Sequence, residues 1–165
     1  MLINRVTNHN EIIECEKLMK NIFSDYYKEF YNNDSYEMED CYDNLDENER
    51  PFYFAIKIDG KIVGAIRALS CFSGIEISKF CVLPGYRSDG CGTSLLHFAE
   101  DYMYKKYPNL ARFYLATNIN SKAVKFYIDN GYHILSVSTN GRCRMSKNKT
   151  HYEYLTHKPV TRFGN

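Results

Sequence analysis

The chain has 165 residues, and its 44% hydrophobic and 25% charged content is typical of one globular domain, which we expect to span residues 1–165. The formal net charge of +1 does not indicate a nucleic-acid partner, and no apolar run approaches the ~18 residues that cross a membrane. Six dispersed cysteines without a CxxC pair, and a start without a signal-peptide pattern, predict free thiols and a cytoplasmic protein.

The N-terminal part of the chain predicts a strand followed by a long helix. Residues 2–6 form a short apolar run, and Asn8 with Glu11 three positions later has the pattern of a capping box. Apolar residues then recur at helical spacing: Ile12, Cys15, Met19, Ile22 and Phe23. Residues 34–49 contain eight acidic residues and no Lys or Arg, and we expect a second, shorter helix there.

The next segment predicts three consecutive strands. Two β-rich runs, 52–58 and 61–66, flank Asp59-Gly60, which is typical of a type I′ hairpin because both turn residues need positive φ. A third strand is expected over 74–82, and it should end before Pro84 because proline cannot donate to a ladder.

Downstream of Gly92 the apolar period becomes helical. One face of this helix carries five apolar residues: Leu95, Leu96, Ala99, Tyr102 and Met103. Pro108 closes the segment, and a strand is expected at 112–117. A further helix begins near Ala123 and should end at Asn130-Gly131, a typical C-terminal cap.

The last part of the chain predicts two strands, 132–139 and 151–157, separated by a basic loop at 140–150. This loop is expected to be an exposed turn, and it carries Arg142, Arg144, Lys147 and Lys149. The order of the elements predicts a mixed α/β fold around a largely antiparallel sheet.

The turn at residues 82–93, VLPGYRSDGCGT, lies between a predicted strand and a predicted helix. The first turn of a helix leaves backbone N–H groups unpaired and carries a partial positive charge. Gly90 and Gly92 let the backbone approach a ligand closely, and Arg87 adds a permanent charge. The turn therefore predicts an anion site suited to pyrophosphate; the alternative is a turn that only starts the helix.

Two common nucleotide-binding patterns do not fit this turn. A P-loop requires Lys-Ser/Thr after its last glycine, whereas Gly90 is followed by Cys91 and Gly92. A dinucleotide-binding turn requires a third glycine where this chain has Leu95. Neither fold is therefore expected.

The turn instead has the pattern V-x-P-x-x-R-x-x-G-x-G, which begins at Val82, and a second pattern, N-x-x-A-x-x-x-Y-x-x-x-G-Y, begins at Asn120. In this order and spacing they resemble two motifs of the GNAT superfamily of acetyl-CoA-dependent acyltransferases, the first being its motif A. The resemblance covers residues 52–132. It implies an α/β (α+β) fold with a mixed, largely antiparallel sheet of about seven strands and about four helices.

The resemblance also implies how acetyl-CoA would bind. Backbone N–H groups of one loop would hold the pyrophosphate: Arg87, Ser88, Asp89, Gly90, Cys91, Gly92 and Thr93. The backbone of Phe80, Cys81 and Val82 would pair with the pantetheine arm, where the sheet of this family splays open. Asn120 would contact the cofactor arm or would cap the following helix, and both roles are compatible.

The catalytic groups follow from the same resemblance. Glu76 lies six residues before Val82, where several family members carry a general base, directly or through a water; the alternative is a surface glutamate. Tyr127 matches the helical tyrosine that donates a proton to the leaving thiolate, and its alternative is a role in the core. Direct transfer needs no thiol, so Cys81 and Cys91 are not expected to carry the acyl group, and we expect no metal.

The acceptor is less well defined by the sequence. In the family, the segment between the first strand and the hairpin covers the acceptor site, and here it is acidic and rich in tyrosine; its candidate residues are Tyr36, Glu39 and Asp40. Carboxylates and aromatic faces favour a cationic amine, either a small molecule or a peptide amine. The alternatives are a solvated lid without influence on specificity and, for the whole protein, a non-catalytic acyl-CoA-binding or sensor module. Family members are often dimers, so a homodimer is compatible with the resemblance.

Overall fold

The computed structural model describes residues 1–31 and 50–150 of the chain. These residues form seven strands and three α-helices, and a 3₁₀ turn occupies Pro84–Tyr86. In chain order the elements are β1 (Leu2–Val6), α1 (His9–Tyr31), β2 (Phe52–Ile58), β3 (Lys61–Cys71), β4 (Gly74–Val82), α2 (Cys91–Lys106), β5 (Arg112–Asn118), α3 (Ala123–Asp129), β6 (His133–Val137) and β7 (Arg142–Asn148).

The strands form one mixed sheet in the order β1-β2-β3-β4-β5-β7-β6. All neighbouring pairs are antiparallel except β4 and β5, which are parallel. The predicted fold class is therefore confirmed, including its seven strands. The described residues contain three α-helices rather than about four, and the additional helix expected at 34–49 lies outside them.

The core has two parts, one on each face of the sheet. On one face α1 buries Cys15 and Met19 against small residues of the sheet such as Ala55 and Ala65. The larger part lies on the other face, where α2 packs onto β2, β3 and β4: Phe54, Val63, Ile66, Leu95, Leu96 and Met103 are fully buried. Burial of this apolar surface is the main stabilising contribution to the fold, at roughly 25 cal/mol per Å².

Local sequence signals account for the ends of several elements. Asn8 caps α1, since its side-chain oxygen accepts hydrogen bonds from the backbone N–H groups of Asn10 at 2.9 Å and Glu11 at 3.3 Å. The β2–β3 turn has φ of 50° at Asp59 and 75° at Gly60, as the type I′ prediction requires. The cap at Asn8 and the type I′ turn are confirmed, whereas the carboxylate of Glu11 does not complete a capping box but binds Nζ of Lys57 on β2.

A buried polar contact also fixes α1 on the sheet. The hydroxyl of Tyr53 on β2 donates to the carboxylate of Glu16 on α1, and the Nε of Arg67 on β3 lies 3.7 Å from the same oxygen. Arg67 in turn contacts Ser78, the extra residue at which the β3–β4 register shifts. This network connects α1 to the part of β4 that borders the candidate site.

The prediction of a basic loop at 140–150 is wrong, because residues 142–148 form β7. Its side chains alternate: Cys143 and Met145 are fully buried, whereas Arg142 and Arg144 are exposed. β7 pairs with β5 on one side and β6 on the other, and this pairing outweighs its basic composition. The strand expected at 151–157 lies outside the described residues.

Lys147 of β7 is held by a buried carboxylate on α2. Its Nζ lies 2.6 Å from Oε2 of Glu100, whose Oε1 accepts a 2.8 Å hydrogen bond from the hydroxyl of Tyr132. Through these two contacts Glu100 joins α2 to the β6–β7 side of the sheet. Loss of Lys147 or Tyr132 would leave the buried carboxylate without one of its two partners, which is destabilising.

No helix in the described part of the chain has both the length and the apolar composition to span a membrane.

Candidate active site

A cleft of about 1240 Å³ opens where β4 and β5 separate. The parallel pairing of these strands covers only Ile75 with Phe113 and Glu76 with Tyr114, although both strands continue beyond those residues. Eight residues expected in the site line the cleft: Glu76, Phe80, Cys81, Val82, Arg87, Gly92, Asn120 and Tyr127. The separation of two strands thus brings together residues that are up to 51 positions apart in the chain.

The edge of β4 directs backbone groups into the cleft. The N–H of Leu83 donates to the carbonyl of Val63 on β3 at 2.8 Å, and antiparallel strands alternate in the direction of their hydrogen bonds. The N–H and C=O groups of Phe80 and Val82 therefore point away from β3 and towards the gap. A ligand amide that pairs with this edge would replace the missing strand.

The turn before α2 provides the anion-binding geometry. Gly90 precedes the helix with φ of 73°, a left-handed backbone that favours glycine, and no described side chain caps the helix. The first helical hydrogen bond runs from the N–H of Ser94 to the carbonyl of Gly90 at 3.0 Å. The backbone N–H groups of Cys91, Gly92 and Thr93 therefore have no acceptor within the helix, and they suit a phosphate oxygen.

Other residues of this loop lie outside the lining of the cleft. Ser88 and Asp89 are exposed, and Thr93 is half-buried at the start of α2. The side chain of Cys91 is only 1% exposed, so this residue can offer a ligand its backbone N–H but not its thiol.

Arg87 has a second contact that the sequence did not predict. Its Nε donates a 2.8 Å hydrogen bond to the carbonyl of Val82, which ties the loop to the end of β4. The residue is exposed and lines the cleft, and none of the described residues forms a hydrogen bond or ion pair with its terminal guanidinium nitrogens. Arg87 therefore shapes the loop and also supplies positive charge at its mouth.

Glu76 and Tyr127 reach the cleft from opposite faces of the sheet. Ile75 and Ile77, on either side of Glu76, belong to the core under α2, so strand alternation places Glu76 on the face covered by α1. Tyr127 belongs to α3 and is buried on the α2 face, where its ring lies 6.2 Å from that of Phe80. A ligand in the gap would lie between the two side chains.

The environment of Tyr127 favours the protonated phenol. Burial raises the pKa of Tyr127 above its ordinary value of 10, and the nearby Tyr26 and Cys81 act in the same direction. None of the described residues forms a hydrogen bond with its hydroxyl, although the ring has aromatic contacts with Phe126 at 5.4 Å and Tyr132 at 5.5 Å. The hydroxyl is therefore neutral at neutral pH, and it can donate to a group placed in the cleft.

Asn120 is exposed at the rim of the cleft, and the alternative in which it caps α3 is wrong. The N–H of Ala123 donates instead to the side chain of Ser121 at 3.1 Å, while the N–H of Asn120 donates to Oδ1 of Asn118 at 3.0 Å. The side chain of Asn120 is thus available to a ligand rather than used by the helix.

The thiol of Cys81 is a poor nucleophile in this environment. The side chain is 5% exposed, and burial raises the pKa of the thiol to about 12. Near neutral pH almost none of it is thiolate, so the structure offers no activated cysteine on this part of the cleft. Within residues 1–31 and 50–150, no group of three His, Cys, Asp or Glu side chains could hold a metal ion.

The C-terminal half of α1 forms a feature that the sequence analysis identified only in part. Five aromatic residues, which we call the aromatic wall, line the cleft: Phe23, Tyr26, Tyr27, Phe30 and Tyr31. From the sequence this region was identified only as rich in tyrosine; the i, i+4 spacing of the aromatic residues on one helix was the signal for a continuous wall. Asp25 and Glu29 add carboxylates to the same side of the cleft.

The hydroxyl of Tyr26 reaches the open edge of β5. It accepts a 2.6 Å hydrogen bond from the backbone N–H of Asn118 and shares a 3.1 Å hydrogen bond with the hydroxyl of Thr117. The acceptor candidates Tyr36, Glu39 and Asp40 lie outside the described residues.

Comparison with known proteins agrees with this geometry. Residues 17–132 match the family model described as the Acetyltransferase (GNAT) family. Among curated proteins, no sequence matches the chain.

Several solved structures share the fold at low sequence identity. The PaiA N-acetyltransferase of Thermoplasma acidophilum, in complex with coenzyme A, is 17% identical over 90% of this chain and 99% of its own, with a TM-score of 0.68. An aminoglycoside 6′-acetyltransferase type Ii is 20% identical over 90% and 97% of the two chains, with a TM-score of 0.66. The ribosomal-protein-S18-alanine N-acetyltransferase of Escherichia coli is 16% identical over 89% and 92%, with a TM-score of 0.60.

Proposed function

The chain belongs to the acetyltransferase (GNAT) family, and we propose that it transfers the acetyl group of acetyl-CoA directly to a primary amine. One observation carries this proposal: the uncapped start of α2 and the unpaired edge of β4 lie on one cleft with Glu76 and Tyr127. Acetyl transfer from acetyl-CoA requires a site for the diphosphate, a site for the amide-bearing pantetheine arm and two groups that transfer protons, and these four features correspond to those requirements.

The binding of acetyl-CoA follows from the two ends of the cleft. The N–H groups at Cys91, Gly92 and Thr93 would hold the pyrophosphate, with added charge from Arg87. The edge at Phe80 and Val82 would pair with the amides of the pantetheine arm, and Asn120 could bind the same arm at the rim. The thioester would then lie near the end of β4, between Glu76 and Tyr127.

The residues of the cleft can then perform each step of the transfer. Glu76, directly or through a water, removes a proton from the ammonium form of the acceptor, since alkylamines have a pKa near 10. The amine nitrogen attacks the thioester carbon, and the N–H of Val82 can stabilise the oxyanion. As the C–S bond breaks, Tyr127 donates its proton to the sulfur. The nitrogen then carries one proton more than the amide product, and this proton passes through solvent to the Tyr127 phenolate, while the proton taken by Glu76 is released to water.

The acceptor is proposed to be a cationic amine, either a small molecule or a peptide amine. One side of the cleft is lined by the aromatic wall and by the carboxylates of Asp25, Glu29 and Glu76. Aromatic ring faces and negative charges both attract ammonium groups. Two of the similar structures are named for acetylation of an aminoglycoside and of an alanine of ribosomal protein S18. Both acceptors are amines.

An assay of thiol release from acetyl-CoA against a panel of amines tests the activity and the acceptor class together. The panel contains a polyamine, an aminoglycoside, peptides with a free N-terminus or a lysine, and neutral and acidic amines of similar size. We expect the cationic members to give the highest kcat/KM. A preference for neutral or acidic amines would contradict the charge argument, and acetyl-CoA binding by calorimetry without thiol release from any amine would indicate a non-catalytic binding module.

A further variant tests the proposed role of the acidic segment with Tyr36, Glu39 and Asp40. Replacement of one carboxylate, Glu39→Gln, should raise KM for the cationic acceptor about threefold or more and leave the Kd of acetyl-CoA unchanged. Glu14→Gln is the matched control because Glu14 is an exposed acid of α1 that does not line the cleft. Equal KM values for the two variants would remove Glu39 from acceptor recognition.

A further inference from the structure

The two edges of the gap between β4 and β5 differ in one respect. Ile119 donates through its N–H to the carbonyl of Gly141 on the β7 side at 2.8 Å, so alternation turns the backbone groups of Ala116 and Asn118 towards the gap. On β4 the N–H groups of Phe80 and Val82 have no acceptor in the described part of the chain, while the carbonyl of Val82 is bound by Nε of Arg87 at 2.8 Å. On β5 the N–H of Asn118 is already bound by the hydroxyl of Tyr26 at 2.6 Å.

Tyr26 is held firmly in this position. Its ring contacts four aromatic neighbours of α1, with centroid distances from 4.9 to 6.0 Å: Phe23, Tyr27, Phe30 and Tyr31. Two hydrogen bonds, to Asn118 and Thr117, fix the hydroxyl. A side chain with this many contacts is a rigid wall rather than a mobile cover.

Tyr26 also faces the place where the reaction would occur. Tyr127 enters from the opposite face of the sheet, and both Tyr26 and Tyr127 line the same cleft. A strand-like ligand paired with β4 would lie about 4.8 Å from that strand. An acyl group that projects from it towards β5 would then meet the ring of Tyr26.

From this arrangement we infer that Tyr26 is a specificity-determining residue that limits the acyl group to a short chain. The inference rests on the proposed function, since it assumes that an acyl-CoA occupies the gap. A two-carbon group fits in front of the ring, whereas a longer chain collides with a wall fixed to both α1 and β5. Replacement of the ring by a methyl group should open this end of the gap.

Calorimetric affinities for free CoA, acetyl-CoA and hexanoyl-CoA test the inference without the need for an acceptor. In the wild type we expect hexanoyl-CoA to bind at least about 30-fold more weakly than acetyl-CoA, since even one methylene that does not fit an apolar pocket changes discrimination by about 10- to 200-fold. Tyr26→Ala should reduce this ratio at least about tenfold. Tyr26→Phe, which keeps the ring, should preserve it within about threefold.

Two controls distinguish a steric effect of the Tyr26 ring on the acyl chain from a general effect of the substitution on the fold. Phe98→Ala removes a half-buried ring of α2 that does not line the cleft, so the acyl ratio should stay at the wild-type value. Free CoA should bind all variants with similar affinity, because it lacks the acyl group. A purely structural role for Tyr26 would weaken the binding of all three ligands equally.

The outcomes distinguish the inference from the proposed function. If the wild type binds all three ligands alike, or if Tyr26→Ala keeps the wild-type ratio, the inference is wrong and the proposed function stands. If a change at Tyr26 alters KM for the amine but not the acyl ratio, the residue contacts the acceptor and the inference is again wrong. If the wild type binds no form of CoA, the proposed function fails first and the inference fails with it.

Discussion

The hydroxyl of Tyr26 on α1 accepts a 2.6 Å hydrogen bond from the backbone N–H of Asn118 on β5. On its β4 side, β5 lacks a partner strand at this point, since its pairing with β4 ends at Tyr114. A helix on one face of the sheet thus satisfies a backbone group that the separation of two strands leaves open. On the β5 edge of the gap the protein thus binds the N–H of Asn118. On the β4 edge the N–H groups of Phe80 and Val82 are left for a ligand, and Arg87 binds only the carbonyl of Val82.

Removal of the Tyr127 hydroxyl should slow turnover without weakening cofactor binding. Because burial raises the pKa of Tyr127, the phenol is protonated at neutral pH and able to donate to the leaving sulfur. Tyr127→Phe should lower kcat by ~10- to 1000-fold and leave the Kd of acetyl-CoA nearly unchanged. Steady-state kinetics and calorimetry measure the two quantities, and an unchanged kcat would exclude Tyr127 as the acid.

Neutralisation of Glu76 should remove the general base. Glu76→Gln keeps the size of a half-buried side chain on β4, so the fold and the cofactor site should be retained. We expect kcat/KM to fall about 100-fold, with the loss becoming smaller at high pH, where more of the amine is already deprotonated. A pH–rate profile of wild type and variant measures this. If the pH–rate profiles of wild type and Glu76→Gln were parallel, the acceptor amine would be deprotonated by water without the help of Glu76.

Two glycines with the same backbone conformation give a matched test of the anion-binding turn. Gly90 has φ of 73° and Gly60 has φ of 75°, and at both positions an added Cβ would meet no atom within 4 Å. Alanine at either position should therefore cost a similar free energy of unfolding, about 1–2 kcal/mol, from left-handed strain.

Only one of the two substitutions should affect the cofactor. Gly90→Ala strains the turn whose N–H groups are proposed to bind the pyrophosphate, so we expect the Kd of acetyl-CoA to rise at least about tenfold. Gly60→Ala strains the distant β2–β3 turn and should leave that Kd unchanged. Denaturation curves and calorimetry give both numbers, and equal Kd values would mean that the turn before α2 does not bind the ligand.

The sequence was most informative where local chemistry determines the backbone. Asp59-Gly60 requires positive φ, and the glycines around the start of α2 fit a turn followed by an uncapped helix, so the hairpin and the candidate anion site could both be predicted. The order and spacing of the two motifs then indicated the family fold, and through it the candidate roles of Glu76, Val82 and Tyr127. These features depend on few residues and on short separations in the chain.

The features that the sequence analysis missed depend on contacts between distant elements. β7 was predicted as a loop because its basic residues hide the alternation of Cys143 and Met145, and only pairing with two neighbouring strands makes it a strand. The contact between Tyr26 and Asn118 joins residues 92 positions apart, and no local pattern could indicate it. The contact of Arg87 with Val82 was missed because sequence predicts charge but not the direction of a side chain.

Direct transfer predicts that the thiol beside the gap is dispensable. Burial raises the pKa of Cys81 to about 12, so almost no thiolate exists to attack the thioester. Cys81→Ala retains the backbone of β4, and we expect kcat within about threefold of the wild type. Mass spectrometry after rapid mixing with acetyl-CoA provides the check: an acetylated protein that forms before turnover, and is lost in the variant, would show a covalent intermediate.

A pH dependence of stability should come from the buried carboxylate that joins α2 to β7. Burial raises the pKa of Glu100 above its ordinary value of about 4.5, against the opposing effects of Lys147 and Tyr132. The folded state therefore holds this proton more tightly than the unfolded chain. As pH rises from about 4.5 towards the folded pKa, the unfolded state ionises first, and the free energy of unfolding contributed by this group decreases.

Glu100→Gln cannot titrate, so it isolates this contribution. We expect the Tm of the wild type minus that of the variant to decrease steadily as pH is raised from 4 to 7, as measured by thermal denaturation in a series of buffers. Asp129→Asn is the control, because it removes an exposed carboxylate that is paired with Lys125. A Tm difference that rises with pH would show instead that Lys147 stabilises the Glu100 carboxylate by more than burial costs it, and that the folded state holds its proton less tightly than the unfolded chain.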